Sequence, residues 1–471
     1  VTEPVNNETP VELRTATPSH FRRLHPLTPL LRGWAYLAGV IVIMGQNALR
    51  NPAPISIYLA FGFGFAVLAT IAGAVSWWFT RYGFDGDALR IDSGVLMRRS
   101  RRVRMDRLQA VDVNRPLVGR LLGVAELRME VAGGSKSEAP LKYLSLDDAT
   151  RLRAELLARA AGIDAETPEA PERMVAEVPL RRLVWSTLLS GGFVLGVLLI
   201  TAMLVALALV PSQARAGILA PMLPGLLAAG YALWTQLGRN FGFTLAESPD
   251  GYRIRKGLLD MQHQTVPPGR IQGVLIRQPL LWRARGWAEV HVDVAGYAGA
   301  SAENATRTST LLPVAPLAEA MEIVRQVLAG VDPSSVELHP APQRSRWLRP
   351  IQWSRLAYGA GDKIVVVRDG RFTRRLTVVP HAKTQSVRVT QGPIQRRLRL
   401  ATAYVDTTPG PVNAIIRHRP PEEAFQFVED QAERARLARK TDIPEQWMVQ
   451  HASRVSQGNT DGDVHKDASN E

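Results

Sequence analysis

Arg107-Leu108-Gln109-Ala110-Val111 returns 163 residues later as Arg270-Ile271-Gln272-Gly273-Val274, and 276 residues later, more loosely, as Lys383-Thr384-Gln385-Ser386-Val387. The surroundings keep step. Leu-Arg-Ile at 89–91 with Gly94 becomes Tyr-Arg-Ile at 252–254 with Gly257, and Ile364 with Gly370. Downstream, Pro116-Leu117, Arg120, Gly123 and Ala125-Glu126 become Pro279-Leu280, Arg283, Gly286 and Ala288-Glu289. The third copy has Gln391-Gly392-Pro393, Arg396 and Leu400-Ala401. Matches at fixed offsets over this length mark an internal repeat, so the chain carries three copies of one unit.

Each copy reads as β-structure. Leu127-Arg128-Met129-Glu130-Val131 and Val290-His291-Val292-Asp293-Val294 alternate with period two, the pattern of a half-buried strand, which puts His291 on an exposed face. Val365-Val366-Val367 followed by Arg368-Asp369-Gly370 predicts a strand entering a tight turn. Gly94, Gly257 and Gly370 supply the positive φ such a turn needs. Gln109, Gln272 and Gln385 mark one position of the repeat. Each copy closes with a helix. The first starts at Ser145, an N-cap followed by Asp147 and Asp148 in the first turn. The second follows Pro316, and the third follows Pro420-Pro421.

Four apolar segments lie at 34–49, 55–79, 184–210 and 218–237, each near the roughly 20 residues that cross a bilayer core. Short turns at 50–54 and 211–217 pair them into two hairpins. Arg22, Arg23, Arg32, Arg81, Arg181, Arg182 and Arg239 gather at the opposite ends, with Trp34, Trp77, Trp78, Trp185 and Trp234. Excess cations and amphipathic indoles predict that these ends face the cytoplasm, with both termini. No apolar core precedes Pro29, so no cleaved leader is expected. The expected fold class is mixed: four transmembrane helices in two hairpins, plus three β-rich domains each closed by a helix. The boundaries run 1–30 cytoplasmic segment, 31–80 first hairpin, 81–162 first domain, 163–180 linker, 181–239 second hairpin, 240–331 second domain, 332–352 linker, 353–440 third domain and 441–471 disordered tail.

The Leu-Arg-Ile…Gly opening, the Arg-Ile-Gln-x-Val or Lys-Thr-Gln-Ser-Val strand, and Gln391-Gly392-Pro393 with Arg396 and Leu400-Ala401 resemble the bacterial pleckstrin-homology-like membrane proteins of the YdbS and YdbT type. Arg23-Leu24-His25-Pro26-Leu27-Thr28-Pro29-Leu30 resembles their opening segment. The resemblance covers most of residues 20–440. It implies a PH-like fold, two small orthogonal sheets capped by a helix, and no enzyme activity. It also implies an alternative role in an export, envelope-stress or antimicrobial-resistance system, acting through a partner membrane protein.

With no cysteine, disulfides, thiolate metal sites and cysteine nucleophiles are excluded. His263, His291, His381 and His418 are scattered without metal-ligand spacing. There is no Gly-x-Ser-x-Gly elbow, and Gly133-Gly134-Ser135-Lys136-Ser137 lacks the spacing of a phosphate-cradling loop. The expectation is a non-enzymatic protein without metal or cofactor. The net charge of +14 carries the functional signal. Arg98, Arg99, Arg101, Arg102 and Arg104 cluster beyond the Gly94 turn, and Arg374 and Arg375 are among the many cations of the third, most basic copy. These are the candidate residues for anionic lipid headgroups of the cytoplasmic leaflet. Self-association or another membrane protein is a further expected partner. Nucleic acid is not expected, because no aromatic stacking platform interleaves the cations.

Overall fold

The computed structural model describes residues 21–26, 55–85, 88–94, 99–105, 108–131, 138–161, 172–209, 230–231, 233–248, 251–266, 268–295 and 310–441. The three copies adopt one plan. In the first, β1 (Arg22–Arg23), β2 (Arg81–Asp85), β3 (Ala88–Ser93) and β4 (Arg99–Arg104) form an antiparallel sheet in that order. Helix α1 (Ile55–Trp78) leaves between β1 and β2. A second sheet follows: β5 (Leu108–Arg115), the short α2 (Leu117–Leu121), β6 (Val124–Val131) and β7 (Glu138–Ser145). Helix α3 (Leu146–Ala161) closes the unit, burying Ala149, Leu152 and Leu156. Ser145 starts it, its Oγ accepting from the Asp148 amide at 3.1 Å and so satisfying one orphan donor of the first turn.

The second copy runs β8 (Arg173–Glu177), α4 (Leu180–Leu188), α5 (Gly191–Leu209), β9 (Thr244–Ser248), β10 (Gly251–Lys256) and β11 (Met261–Val266). Then come β12 (Ile271–Gln278), β13 (Trp287–Val294), β14 (Thr310–Pro316) and α6 (Leu317–Val327). The third has β15 (His339–Pro340), β16 (Ala357–Ala360), β17 (Ile364–Asp369), β18 (Arg374–Pro380), β19 (Ser386–Thr390), α7 (Pro393–Arg397), β20 (Ala401–Asp406), β21 (Ala414–Arg419) and α8 (Pro421–Thr441). Where the first two copies send out helices, the third has only the 3-10 turns Gln343–Trp347 and Trp353–Arg355.

The copies are joined edge to edge. The second sheet of each continues into the first sheet of the next, giving the orders β7-β6-β5-β11-β10-β9-β8 and β14-β13-β12-β18-β17-β16-β15. Arg115 lies opposite Met261 in one joint, and Gln278 opposite Arg374 in the other. These are the same repeat positions, so both joints share one register. Their chemistry differs. The β17–β18 hairpin is apolar on both faces: Ile364, Val366 and Val378 enter the second core, while Val365, Val367 and Val379 enter the third. Burial on both faces explains the unbroken valine run at 365–367. The joint between copies one and two is polar, with Asp112 and Asn114 on β5, Gln262 on β11 and Lys256 on β10 beyond it.

Three sequence expectations need correction. The count of four transmembrane helices is overturned, since among the described residues one helix, α5, is long and apolar enough to cross a membrane. The segment expected at 184–210 is split. Its start belongs to α4, which buries Leu183, Ser186 and Thr187 and accepts a bond from Trp282 Nε1 at the Ser186 carbonyl (2.9 Å). Ser190 opens a new helix, its Oγ accepting from the Phe193 amide at 3.3 Å. The segment 34–49 and most of 218–237 lie outside the described residues, as does the tail beyond 441. Next, the expected linker 163–180 contributes β8, paired with β9 through Arg173 to Glu177, and the linker 332–352 contributes β15. Finally, His291 is buried rather than exposed, between Glu289 and Thr310 on a face of β13 where the third copy's Val412 also meets Asp293. Gly94, Gly257 and Gly370 adopt φ of +105°, +116° and +80° in the hairpin turns.

Candidate functional site

A recess of about 300 Å³ opens where the third copy docks on the second. It is lined by Leu280, Arg283, Arg355, Arg371, Phe372 and Arg374. Arg283 comes from the 3-10 turn Leu281–Arg285 after β12, and Arg355 from the last turn of the third copy's insertion. Arg371 and Phe372 occupy the β17–β18 turn, and Arg374 opens β18. That turn is tight because Gly370 has positive φ, where a Cβ would run into the Thr373 carbonyl. Arg283 is fixed by donating to the Phe372 carbonyl at 2.6 Å and to the Arg371 carbonyl.

Among the described residues no carboxylate lines this recess. Asp369, at the end of β17, is taken up by Arg417 at 2.8 Å. Burial, then Arg374 and Arg371, lower the proton affinity of Arg283. Arg355 is lowered by burial, then by Arg374, Arg368, Arg283 and Arg371. Among the described residues, the charges that act on these two guanidiniums are other cations. An anion would relieve that crowding, and planar guanidinium forks match phosphate oxygens in geometry. Leu280 and Phe372, the latter 60% exposed, add an apolar lip. Beside Arg355 in the chain, Trp347 and Ile351 are 71% and 57% exposed, with the Arg346 guanidinium 5.6 Å from the Trp347 ring centre. An exposed indole and aliphatic side chain among arginines is the composition of an interfacial membrane contact.

The structure separates the sequence candidates. Arg374 lines the recess, whereas Arg375 lies in the joint opposite Arg277. Arg99, Arg101, Arg102 and Arg104 are exposed on β4 of the first copy, Arg102 standing 3.3 Å from Asp85. Arg98 lies outside the described residues. Gln272 donates to the Arg270 carbonyl at 3.1 Å, Gln385 is exposed, and the Gln109 side chain is outside the described set. Sequence reading did not single out Arg283 and Arg355. The repeat held a signal for the first: its equivalent Arg120 also reaches the following copy, donating to the Leu258 carbonyl at 2.7 Å.

The histidines are packed groups. Burial, then Arg255, pushes His263 down to about 4. Burial, then Arg349 and Arg417, pushes His418 down to about 4. His381 is buried, its Nε2 2.8 Å from the Gly361 carbonyl oxygen. Among the described residues no group of three or more His, Asp or Glu is placed to hold a metal.

The model of the bacterial PH domain matches residues 34–160, 189–331 and 341–435, one match per copy. A relative named UPF0699 transmembrane protein YdbT, from Bacillus subtilis (strain 168), is 23% identical over 314 residues, covering 58% of this chain. The match spans 63% of that relative's length. No solved structure matches the chain.

Proposed function

The chain belongs to the bacterial PH domain family, and from that premise we propose that it is a non-catalytic, membrane-associated protein that binds phosphate-bearing anionic lipid headgroups in the recess between its second and third copies. The observation that carries this reading is the convergence of Arg283, Arg355, Arg371 and Arg374 with no carboxylate among the described lining residues. Helix α5, whose Leu195, Leu198, Leu199 and Leu209 are exposed, supports anchoring in a bilayer, as does the relative's name as a transmembrane protein. The arginines near the helix ends support the cytoplasmic leaflet as the face that is met. Each cation near that leaflet contributes roughly 1 kcal/mol, so the recess and the Arg344–Arg346 turn act together.

Native mass spectrometry of the full chain in mild detergent tests the recess. With added phosphatidylglycerol, the wild type is expected to retain the lipid about tenfold more than the Arg371→Glu/Arg374→Glu variant, and to prefer it over phosphatidylcholine. Inorganic phosphate added in competition separates a headgroup site from a free-phosphate site. Equal retention by wild type and variant would refute the proposal. Both side chains are exposed, so the variant is expected to fold.

A further inference from the structure

In every copy the chain leaves the first sheet between its first and second strands, and the exit is built the same way. β1 pairs with β2, β8 with β9, and β15 with β16. Beyond each pair stands a buried neck: Leu24 with Thr80, Val178 with Phe243, and Ala341 with Leu356. The Val178 amide donates to the Phe243 carbonyl at 3.1 Å, and the Ala341 amide to the Leu356 carbonyl at 2.8 Å. Pro179 and Pro342 follow these two necks, each in extended backbone that opens a helical turn. Helices α1 and α5 lie between the necks of the first two copies. In the third copy the same place holds only the segment 341–356.

The same end of each first sheet carries the glycine turn. Arg81 lies opposite Asp92, Thr244 opposite Arg255, and Ala357 opposite Arg368, each two residues ahead of Gly94, Gly257 or Gly370. Leu259 and Phe372 hold one repeat position in the later turns, and both are exposed. The second copy's neck and the third copy's turn are also in direct connection. Trp282 Nε1 donates to the Ser186 carbonyl of α4 at 2.9 Å, and the next residue, Arg283, donates to the Phe372 carbonyl at 2.6 Å. Two adjacent residues thus link the base from which α5 departs to the turn that bears Phe372.

We infer that the third copy meets the bilayer at this end without spanning it: segment 341–356 and the β17–β18 turn lie among the headgroups, with Trp347, Ile351 and Phe372 as the inserted side chains. The occupant is a lipid surface because this place in the repeat is the one from which α5, long and apolar enough to cross a membrane, departs in the second copy. Charge agrees, since Arg344, Arg346, Arg371 and Arg374 flank the three side chains and suit an anionic leaflet. Trp185 and Trp347 each follow a neck closely, with Arg285 at 5.8 Å and Arg346 at 5.6 Å from their ring centres. An indole beside a guanidinium fits the headgroup layer, where the ring meets apolar chains and the cation meets phosphate. This placement rests on the membrane reading proposed above, and it adds how the recess is presented: Arg355, Arg371 and Arg374 open toward the lipid.

With no cysteine in the chain, single cysteines report depth directly. Full-length Trp347→Cys, Ile351→Cys and Phe372→Cys are each labelled with a nitrobenzoxadiazole fluorophore and placed in nanodiscs of phosphatidylglycerol and phosphatidylcholine. All three side chains are exposed, so the variants are expected to fold. Leu198→Cys on α5 reports the bilayer core, and Leu437→Cys on α8 the far side. Helix α8 reaches the opposite end of the sheet, where Gln431 donates to Thr384 beyond β18 at 3.1 Å. A quencher attached near the headgroup end of the lipid chains is expected to quench the first three labels about threefold more than the Leu437→Cys label, and more than a quencher at the chain ends does, as for side chains roughly 5–10 Å below the surface. If those three labels are quenched no more than the Leu437→Cys label while the Leu198→Cys label is quenched, the proposal is overturned, and headgroup binding in the recess keeps its own test. A Leu198→Cys label that also escapes quenching would overturn the membrane reading together with it.

Discussion

Asp293→Asn is expected to stabilise the chain at pH 8 while doing little, or slight harm, at pH 5. Asp293 lies on β13, 2% exposed, under the third copy's β20–β21 loop. Its carboxylate accepts from the Val412 amide at 3.2 Å, and a Cβ at Gly410 would run into it. Burial pushes this acid up to about 7, with the single Val412 bond only partly opposing. Arg277, Glu289 and His291 share this face of the sheet, but Glu289 is engaged by Arg277 at 3.2 Å and lies 3.5 Å from His291. Among the described residues no cation pairs with Asp293; burial and the Val412 amide are the causes that act on it.

The sign follows from linkage. The folded acid holds its proton from an ordinary carboxylate value up to about 7, while the unfolded chain has released it. Stability contributed by the neutral acid is complete below the unfolded value and is lost as pH rises through the folded one. At about 1.4 kcal/mol per pH unit, the loss reaches up to about 4 kcal/mol above pH 7. Asparagine keeps an oxygen for Val412 and carries no charge, but its amide hydrogens need an acceptor, costing about 1 kcal/mol. The unfolding midpoint of the variant should exceed that of wild type by about 5–10 °C at pH 8, and match or fall slightly below it at pH 5. Parallel pH profiles for the two proteins would show that Asp293 is not the titrating group.

That junction also marks how far the sequence could be read. Repeat spacing located the three units, the turn glycines and the Ser145 cap, because these depend on residues close in the chain. What joins the units was hidden, since period-two alternation says which face of a strand is buried but not which strand lies beside it. Val290 to Val294 therefore suggested a solvated face for His291, which is in fact buried beside Asp293, where the third copy's Val412 donates to the carboxylate. Strand β8 was masked by its setting: Arg173-Met174-Val175-Ala176-Glu177 carries charge at both ends in an acidic, proline-bearing stretch, and pairing with β9 decides its structure. The recess draws arginines from two copies and three separate turns, so no contiguous motif announces it. The β4 arginines, which do form a contiguous run, proved to be an exposed sheet edge. For the apolar segments, length and composition could not distinguish α4, held in the second core, from α5.

The largest loss from a single substitution is expected at the other joint. Lys256 at the end of β10 is buried, and burial pulls its ammonium down to about 8 even though Asp112 on β5 acts to hold the proton. The two residues belong to different copies, with β11 between their strands. Asp112→Leu removes a counter-charge acting on Lys256 and should cost about 3–5 kcal/mol at pH 7, the usual result of weakening the compensation of a buried charge. Adding Lys256→Met should restore most of that loss, since an apolar pair replaces a desolvated ionic one. The lysine also sets a pH signature of the opposite sense to Asp293. Its folded value is depressed, so the unfolded chain binds the proton more tightly between about 8 and its ordinary value, and wild-type stability rises with pH across that window. The double variant should lose this rise. Hydrogen exchange at Gln262 and His263 of β11 reads the joint directly: faster exchange in Asp112→Leu, and recovery in the double variant, locate the damage between copies one and two. Unchanged exchange there, with stability lost elsewhere, would mean that the pair does not hold the joint. The joint between copies two and three is held by valine packing on both faces of the β17–β18 hairpin, so it should remain closed when the polar one opens.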